Sequence, residues 1–426
     1  MLLRFSAQNF SSLRDEQELS MVALDEHPDL AVFDVPQSKL KVLPAVGIFG
    51  PNGSGKSAVI KAIAFATSAV IESQQFWLPE ESIPRRPFRL DDVSRARPSR
   101  FVFEFVTGGV RHEYGFSLDD SRVHEEWLYT WPRGRQATLF ERDGDAVEFG
   151  SSLGGQKAVI AESMRENCLF LSTAATLNHP RLRAVAAWFG TWSQVRHDPF
   201  PPSKPFDDEV LSLLRYADIG IVGMAMVERD ESELGLSARS RRSMERIRRS
   251  DGRGGAPDGL AGPRPELVHR AENDSGGEPL PWSWESSGTQ TWAHLALRAS
   301  SCLSSGTIMV VDDLGVDLHP SLTAQLLGLF QTPQTNPHGA QLIFCGHDVS
   351  LLGKQVEHRL RRDQVCLTEK GRTGATKVYP LTEYGRVRDG VDDVEGRYLQ
   401  GRYGAVPFFD QDLLPEFAEN AARHEG

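Results

Sequence analysis

The sequence has little cysteine, no long hydrophobic run and no surplus of positive charge. Its four cysteines, Cys168, Cys302, Cys345 and Cys366, lie far apart with no CxxC pair, so neither a disulfide framework nor a structural zinc site is expected in a chain of this size. Apolar runs are short or broken by polar residues, which argues against a membrane span. Residues 1–9 lack a basic stretch followed by an apolar one, so no secretion signal is expected and the protein is read as cytoplasmic, with no membrane partner. A net charge of −11 argues against coating by nucleic acid through overall charge, and any such binding must be local. Heptads and internal repeats are also missing. What is present, 426 residues with 40% hydrophobic and 25% charged side chains, suffices to bury a substantial core.

Along the chain, residues 43–49 (LPAVGIF) form a short apolar run, and residues 58–71 carry apolar side chains at helical spacing, which predicts strand, loop, helix. From residue 100 the pattern turns β-rich, with FVFEFV, a TGG turn, HEYGFSL, VHEEWLYTW and a turn at Asp143-Gly144, as in an antiparallel lobe. Helices are expected over 156–165, 181–195 and 207–216, with the proline-rich 199–205 as a stiff connector and a strand over 219–227. Residues 228–265 are rich in Arg, Ser, Gly and Asp and read as an exposed insertion. After it come a strand near 281–285, a helix over 289–303, the strand TIMVVDD, a helix after Pro320 and the strand QLIFCGHD. Strands alternating with helices imply a mostly parallel sheet.

GPNGSGKS, residues 50–57, fits the phosphate-loop pattern between a predicted strand and a predicted helix. In such a loop the glycines let backbone N–H groups converge on phosphate oxygens, the helix start adds positive partial charge, Lys56 reaches the β and γ phosphates, and Ser57 ligates Mg²⁺. The candidate nucleotide-binding residues are therefore Gly50, Pro51, Asn52, Gly53, Ser54, Gly55, Lys56 and Ser57. TIMVVDD ends in two carboxylates: Asp312 is the candidate second Mg²⁺ holder and Asp313 the group that polarises the attacking water. Alone, that pattern also fits a buried strand running into an acidic turn.

Lys56 and Asp312 stand 256 positions apart, more than compact GTPases or RecA-like motors need, so a large insertion separates them. Ser286, Ser287 and Gly288 precede Asp312 by about 25 positions at the start of a predicted helix, and His347 follows it by 35. In these motifs the chain resembles the ABC-type ATPases, specifically the SMC-like heads that include the double-strand-break repair ATPase. ESSGTQ resembles their signature motif, DDLGVDLHP their Walker B with D-loop, and CGHD their switch histidine. It is more similar still to the AAA-family, ATP-binding proteins of bacterial abortive-infection and other anti-phage systems, through RFSAQNFSSLRDEQELS, NCLFLSTAATLN, YADIGI and RYLQGRYGAVPFF.

The resemblance implies an α/β, ABC-ATPase-like head with a mixed sheet, an antiparallel β lobe, a helical signature lobe and no long coiled coil. Its expected division is residues 1–75 (first half with the phosphate loop), 76–155 (β lobe), 156–227 (helical lobe), 228–265 (Arg-rich insertion), 266–385 (second half) and 386–426 (tail). It further implies a head-to-tail dimer, or a higher oligomer of dimers, with ATP and Mg²⁺ held between the phosphate loop of one chain and Ser286, Ser287 and Gly288 of the other. Catalytic roles fall to Lys56, Asp313 and His347, and His319 lies near the dimer seam. Adenine recognition is assigned to the N-terminal strand and Arg14.

The family usually has Glu where this chain has Asp313. The shorter carboxylate holds water about an ångström from its best position, a displacement that can cost roughly 100-fold. Slow hydrolysis, with ATP acting mainly as a dimer clamp, is the expectation; the alternative is a local backbone adjustment that restores the geometry. The expected role is sensor or gate in an anti-phage system whose toxin or nuclease effector is a separate protein, since relatives with their own nuclease carry it after the head. An ATP-switched scaffold without turnover and a DNA-repair-type ATPase are the alternatives. Arg239, Arg241, Arg242, Arg246, Arg248, Arg249 and Arg253, opposed only by Glu245 and Asp251, fit nucleic-acid phosphate or an acidic partner as well as they fit a solvated loop. Arg264 and His269 have the spacing of some ribonuclease helices, but Pro265 argues against a helix there. Trp282, Trp284 and Trp292 are expected to pack the signature region.

Overall fold

The computed structural model describes residues 1–195, 205–217, 220–228, 263–272, 276–385 and 392–407. Its central layer is a six-stranded sheet in the order Ser193–Val195, Ile308–Leu314, Gln341–Gly346, Ala45–Phe49, Val365–Lys370 and Thr376–Pro380. The first five strands are parallel and the last is antiparallel. Because successive side chains point to opposite faces, each strand feeds two cores. Val46, Ile48, Ile308, Val310 and Ile343 enter one; Ala45, Phe49, Met309, Val311, Leu342 and Phe344 enter the other. Burial on both faces explains why these strands read as unbroken apolar runs.

Over the first face lies a seven-stranded antiparallel sheet in the order Ala146–Phe149, Ala137–Asp143, Val123–Trp131, Val110–Leu118, Ser99–Thr107, Leu2–Gln8 and Gln17–Ser20. Phe101, Phe103 and Phe105, at period two, are fully buried. Phe105 stacks on Trp188 at 4.1 Å between ring centroids, and Phe103 meets Phe189 edge-on. The helix Lys56–Phe76 buries Ala58, Val59, Ala62, Ile63, Ala66, Ala69 and Val70 in this same core, the three-and-four spacing of one helical face. On the second face pack the helices Asp208–Tyr216, Ser287–Ser305 and Pro320–Gln331. A three-stranded sheet, Ile221–Val227, Arg264–His269 and Glu278–Leu280, completes the signature lobe. The architecture is the α/β one expected, with mixed sheet, β lobe and helical lobe. No helix of the described residues is long and apolar enough to cross a membrane.

Local structure departs from expectation in two places. The helix expected over 181–195 runs Pro180–Gly190, and Ser193–Val195 then pairs with Met309, Val310 and Val311 as the edge strand. The strand expected over 281–285 is a short 3-10 turn, Trp282–Trp284, because Pro281 has no N–H to give a ladder. The strand lies just before it, Glu278–Leu280. The seven arginines between Arg239 and Arg253 lie outside the described residues.

One buried ionic network ties the antiparallel sheet to the helix Phe170–Thr176 packed in the same core. Glu126 is fully buried and accepts the backbone N–H groups of Phe170 at 2.6 Å and Leu171 at 2.9 Å, at the start of the helix Phe170–Thr176. Tyr114 donates its hydroxyl to the same carboxylate at 2.9 Å. Arg142 stands 3.6 Å away and donates to the Cys168 carbonyl. Burial pushes the Glu126 carboxyl up, and Arg142 opposes that. Removing one member leaves the other charge uncompensated, so Glu126→Ala should lower unfolding stability by about 3–5 kcal/mol. Denaturant unfolding followed by circular dichroism measures it; a loss no larger than one neutral hydrogen bond, about 1 kcal/mol, would refute the assignment of a role in joining sheet and helix.

Candidate functional site

Parallel strands end at the same edge of a sheet, and ligands collect outside their carboxyl ends. Here Ala45–Phe49, Gln341–Gly346 and Ile308–Leu314 are immediate neighbours, so the phosphate loop, Cys345 with His347, and Asp312 with Asp313 leave the sheet side by side. Gly53 and Gly55 have φ of 77° and 110°, which open the loop in a conformation L side chains resist. Lys56, almost fully buried, donates its ammonium to the carbonyls of Gly50 at 2.9 Å and Pro51 at 3.2 Å. Burial lowers its pKa, while Asp312 and Asp313 act to raise it.

Two threonines that no motif flagged hold this loop. Thr368 lies 2.7 Å from the Ser54 hydroxyl. Thr376 donates to the Ser54 carbonyl at 2.7 Å, and its backbone N–H bonds the Ser12 carbonyl at 2.7 Å. A Cβ on Gly55 would come within 2.0 Å of the Thr376 hydroxyl, so the loop and the strand Thr376–Pro380 touch backbone to side chain. The turn after the N-terminal strand thus reaches the loop through Ser12. Arg14, assigned to adenine, instead pairs with Asp15 at 2.8 Å beside the Phe88 ring.

Asp313 has φ of 60°, the left-handed conformation that Asp and Asn tolerate better than other non-glycine residues. The pairing register between Ile308–Leu314 and Gln341–Gly346 shifts between Val311 and Leu314, so the strand bulges at the two carboxylates. Cys345 reaches across: its thiol donates to Asp312 Oδ1 at 2.9 Å, and its sulfur accepts the Asp313 N–H at 3.3 Å. Burial and the neighbouring carboxylates push this thiol far above its ordinary range. His347 Nε2 is 3.7 Å from Asp313 Oδ1. Partial burial and then the charge of Lys56 lower its pKa, against Asp313.

Ser286 caps the helix Ser287–Ser305, accepting the Thr289 N–H at 3.1 Å. Gly288 lies against the Asp317 carbonyl, which a Cβ there would approach to 2.7 Å. His269, on the strand Arg264–His269, holds Glu285 at 2.8 Å, so the stretch with ribonuclease-like spacing forms a strand and orients the residue just before Ser286. Trp292 and Trp282 are buried, whereas Trp284 is 67% exposed. His319 accepts the Ser321 N–H and caps the helix Pro320–Gln331. Among the described residues, no hydrogen bond or ion pair joins Ser286, Ser287 or Gly288 to the phosphate loop of the same chain. A separate cavity of about 1020 Å³ runs from Asp312 and Asp313 along the helix Lys56–Phe76 to Phe189 and Trp192. The phosphate loop does not line it, so it is not the phosphate cradle.

Residues 45–152 and 223–353 match the model of the family described as "AAA domain, putative AbiEii toxin, Type IV TA system". The chain belongs to this family. Both matched segments carry the loops just described: the phosphate loop opens the first, and Ser286 to Gly288, Asp312, Asp313 and His347 fall in the second. No curated protein matches this AAA-domain chain. It is similar to the solved SMC head bound to the C-winged helix domain of ScpA, at 11% identity and TM-score 0.41, covering 90% of this chain and 98% of that chain. It is also similar to the SMC head domain from Thermotoga maritima, at 14% identity and TM-score 0.36, covering 89% and 98%.

AAA-domain proteins of this kind are P-loop ATPases, which implies ATP and Mg²⁺. The donor set suits that cation: a hydroxyl, Ser57, on the first helical turn and carboxylates at the end of a strand two positions across the sheet are hard oxygen ligands. The loop's integrity rests on Thr376, so Thr376→Val should leave the Ser54 carbonyl unpaired, cost about 1–3 kcal/mol of stability, and weaken binding of a fluorescent ATP analogue while Ser57 and Lys56 are intact. Unaltered affinity and melting temperature together would show that the loop stands without this support.

Proposed function

We propose that the chain binds ATP with Mg²⁺ through Gly50, Pro51, Asn52, Gly53, Ser54, Gly55, Lys56 and Ser57 and hydrolyses it at a site completed by Ser286, Ser287 and Gly288 of a second copy. The observation that carries this reading is the meeting of a phosphate loop with Asp312, Asp313 and His347 at the ends of three adjacent parallel strands. Among the described residues no hydrogen bond or ion pair joins the signature residues to that loop of the same chain, which favours a two-fold, head-to-tail pair.

Mg²⁺, held by Ser57 and Asp312, supplies charge neutralisation at the phosphates. Lys56 releases the Gly50 and Pro51 carbonyls and turns its ammonium to the nucleotide, whose phosphates replace those two hydrogen bonds with charge-assisted ones. Asp313 orients and polarises the attacking water, and His347 donates a hydrogen bond toward the γ-phosphate. The left-handed turn at Asp313 re-aims its carboxylate but also restricts what side chain the position accepts. Turnover is slow on this reading, and the bound nucleotide acts as a clamp on the pair.

The description of the family as putative AbiEii toxins of a toxin–antitoxin system supports placement in abortive infection or another anti-phage system. There the ATPase serves as sensor or gate for a separate toxin or nuclease effector. Contact between the seven arginines around Arg246 and nucleic acid remains an additional proposal of the same kind.

Steady-state phosphate release decides the enzymatic half. Wild type should turn over ATP with Mg²⁺, and Lys56→Ala should not. Asp313→Asn, which keeps the left-handed backbone, should bind ATP and lose turnover by roughly 100-fold or more. Turnover equal in wild type and Lys56→Ala would overturn the assignment; nucleotide binding without turnover in wild type would leave an assembly switch.

A further inference from the structure

The cavity beside the helix Lys56–Phe76 has an end that the nucleotide reading leaves unused. Trp192 stands just before the step that pairs Ser193 with Met309, at the level of Ile308, four residues and roughly 13 Å of strand before Asp312. Thr67 lies eleven residues, roughly 16 Å of helix, beyond Lys56. This end is therefore set away from both the phosphate loop and the acidic pair, although one cavity of about 1020 Å³ connects it to the latter.

Two polar side chains line this end. The Trp192 indole N–H is buried from water and has no hydrogen-bond partner among the described residues. Its ring is clamped edge-on by Trp188 at 5.2 Å and Phe103 at 5.9 Å between centroids, so it has no freedom to seek one, and a buried donor left unpaired calls for an explanation. Gln194, two residues on and thus on the same side of the extended chain, donates Nε2 to the Thr67 hydroxyl at 3.1 Å. That hydroxyl gives its own proton to the Ile63 carbonyl at 2.9 Å and can only accept from Gln194. The amide orientation is thereby set, and Oε1, to which no described residue donates, is left as an acceptor.

Together the two side chains offer one N–H donor and one carbonyl acceptor, the complement of a lactam edge, whose carbonyl accepts and whose N–H donates. Phe65, Phe189 and Ile71 supply apolar wall around them, the combination of apolar lining and few polar groups that small-molecule sites show at this volume. Of the charged residues in the lining, Lys61, Glu72 and Arg86 are exposed, so a guest against Trp192 and Gln194 meets no buried charge and is itself uncharged.

We infer that Trp192 and Gln194 form a binding site for an uncharged, planar heteroaromatic compound bearing a lactam edge, separate from the nucleotide. The guest's carbonyl accepts the Trp192 N–H, its ring N–H donates to Gln194 Oε1, and its rings lie against Phe65 and Phe189. Gln194 also holds Thr67 on the helix that begins at Lys56, and its strand pairs beside the strand of Asp312, so an occupied site stiffens both elements that carry the phosphate chemistry. Binding follows from these residues alone; an effect on turnover rests on the proposed ATPase reading.

The test titrates the purified full chain with 2-quinolinone, an uncharged bicyclic lactam, by isothermal calorimetry. One saturable site with a Kd below about 1 mM is expected, the affinity open to so small a guest. N-methyl-2-quinolinone, which keeps the carbonyl and lacks the N–H, should bind roughly tenfold more weakly, as should the parent compound to Trp192→Phe and to Gln194→Leu. Ser68→Trp, which puts a large ring into the cavity from the helix side, should abolish binding with its circular dichroism spectrum unchanged. Lys56→Ala should bind the compound as wild type does. No saturable binding by wild type, equal affinity for the N-methylated compound, or undiminished binding by Trp192→Phe, Gln194→Leu and Ser68→Trp overturns the site; loss of binding in Lys56→Ala overturns it too, by placing the guest in the phosphate cradle. Phosphate release without the compound checks the other reading separately: a chain without turnover that still binds the lactam loses the ATPase and keeps this site.

Discussion

Everything chemical in this molecule depends on three parallel strands being buried on both faces and ending together. Ala45 pairs with Leu342, and Gln341 with Ile308, so segments far apart in sequence are locked in one register. A slip of one residue would send Val46 and Ile48 to the wrong core and Phe49 to the other, reversing every side chain. The hydrophobic pattern therefore fixes the register, and the register fixes which loop residues meet. The phosphate loop, the acidic pair and His347 are brought within reach by apolar side chains that take no part in the chemistry.

Against that rigid layer, the strand Ile308–Leu314 gives way at one point. Its bulge and the left-handed Asp313 occur where the ladder would otherwise continue, and such conformations persist only where their surroundings hold them. The Cys345 sulfur receiving the Asp313 N–H and the close packing of Leu314 do that here. A glutamate at this position would meet the cost of the left-handed region with no local hydrogen-bonding habit to offset it. Asp is thus the residue the backbone asks for, and the sequence departure that first looks like a defect is consistent with the turn that carries it.

Legibility followed the range over which each feature is encoded. The phosphate loop, the acidic strand end and the α/β rhythm are local patterns of glycine spacing and apolar periodicity, so the fold class and the principal site candidates were readable from single segments. Thr368, Thr376, Glu126 and His269 were not. Each is an ordinary strand residue whose importance comes from a partner far along the chain, as in the 322 positions between Thr376 and Ser54. The edge strand Ser193–Val195 was hidden for the same reason: three residues become a strand only because Met309, Val310 and Val311 are there to pair with them. The N-terminal strand, too, gave no sign that it enters the antiparallel sheet between Ser99–Thr107 and Gln17–Ser20.

The placement of Ser286, Ser287 and Gly288 is the feature on which the proposed pairing of two copies turns. Ser286 is exposed at a helix start, with orphan N–H groups and the positive end of a 19-residue helix behind them. A helix start of this kind suits an anion, and it is held in place by His269 on Glu285 at 2.8 Å, while Gly288 leaves no room for a Cβ beside the Asp317 carbonyl. Reorienting the helix within one chain would break that pair and the packing around the buried Trp292 and Trp282. Bringing a second molecule to the exposed face breaks none of it, and leaves Trp284, exposed next to Ser286, with apolar surface to bury. On the proposed reading, that arrangement is the physical ground for a site shared between two copies: among the described residues no hydrogen bond or ion pair ties Ser286, Ser287 or Gly288 to the phosphate loop of their own chain.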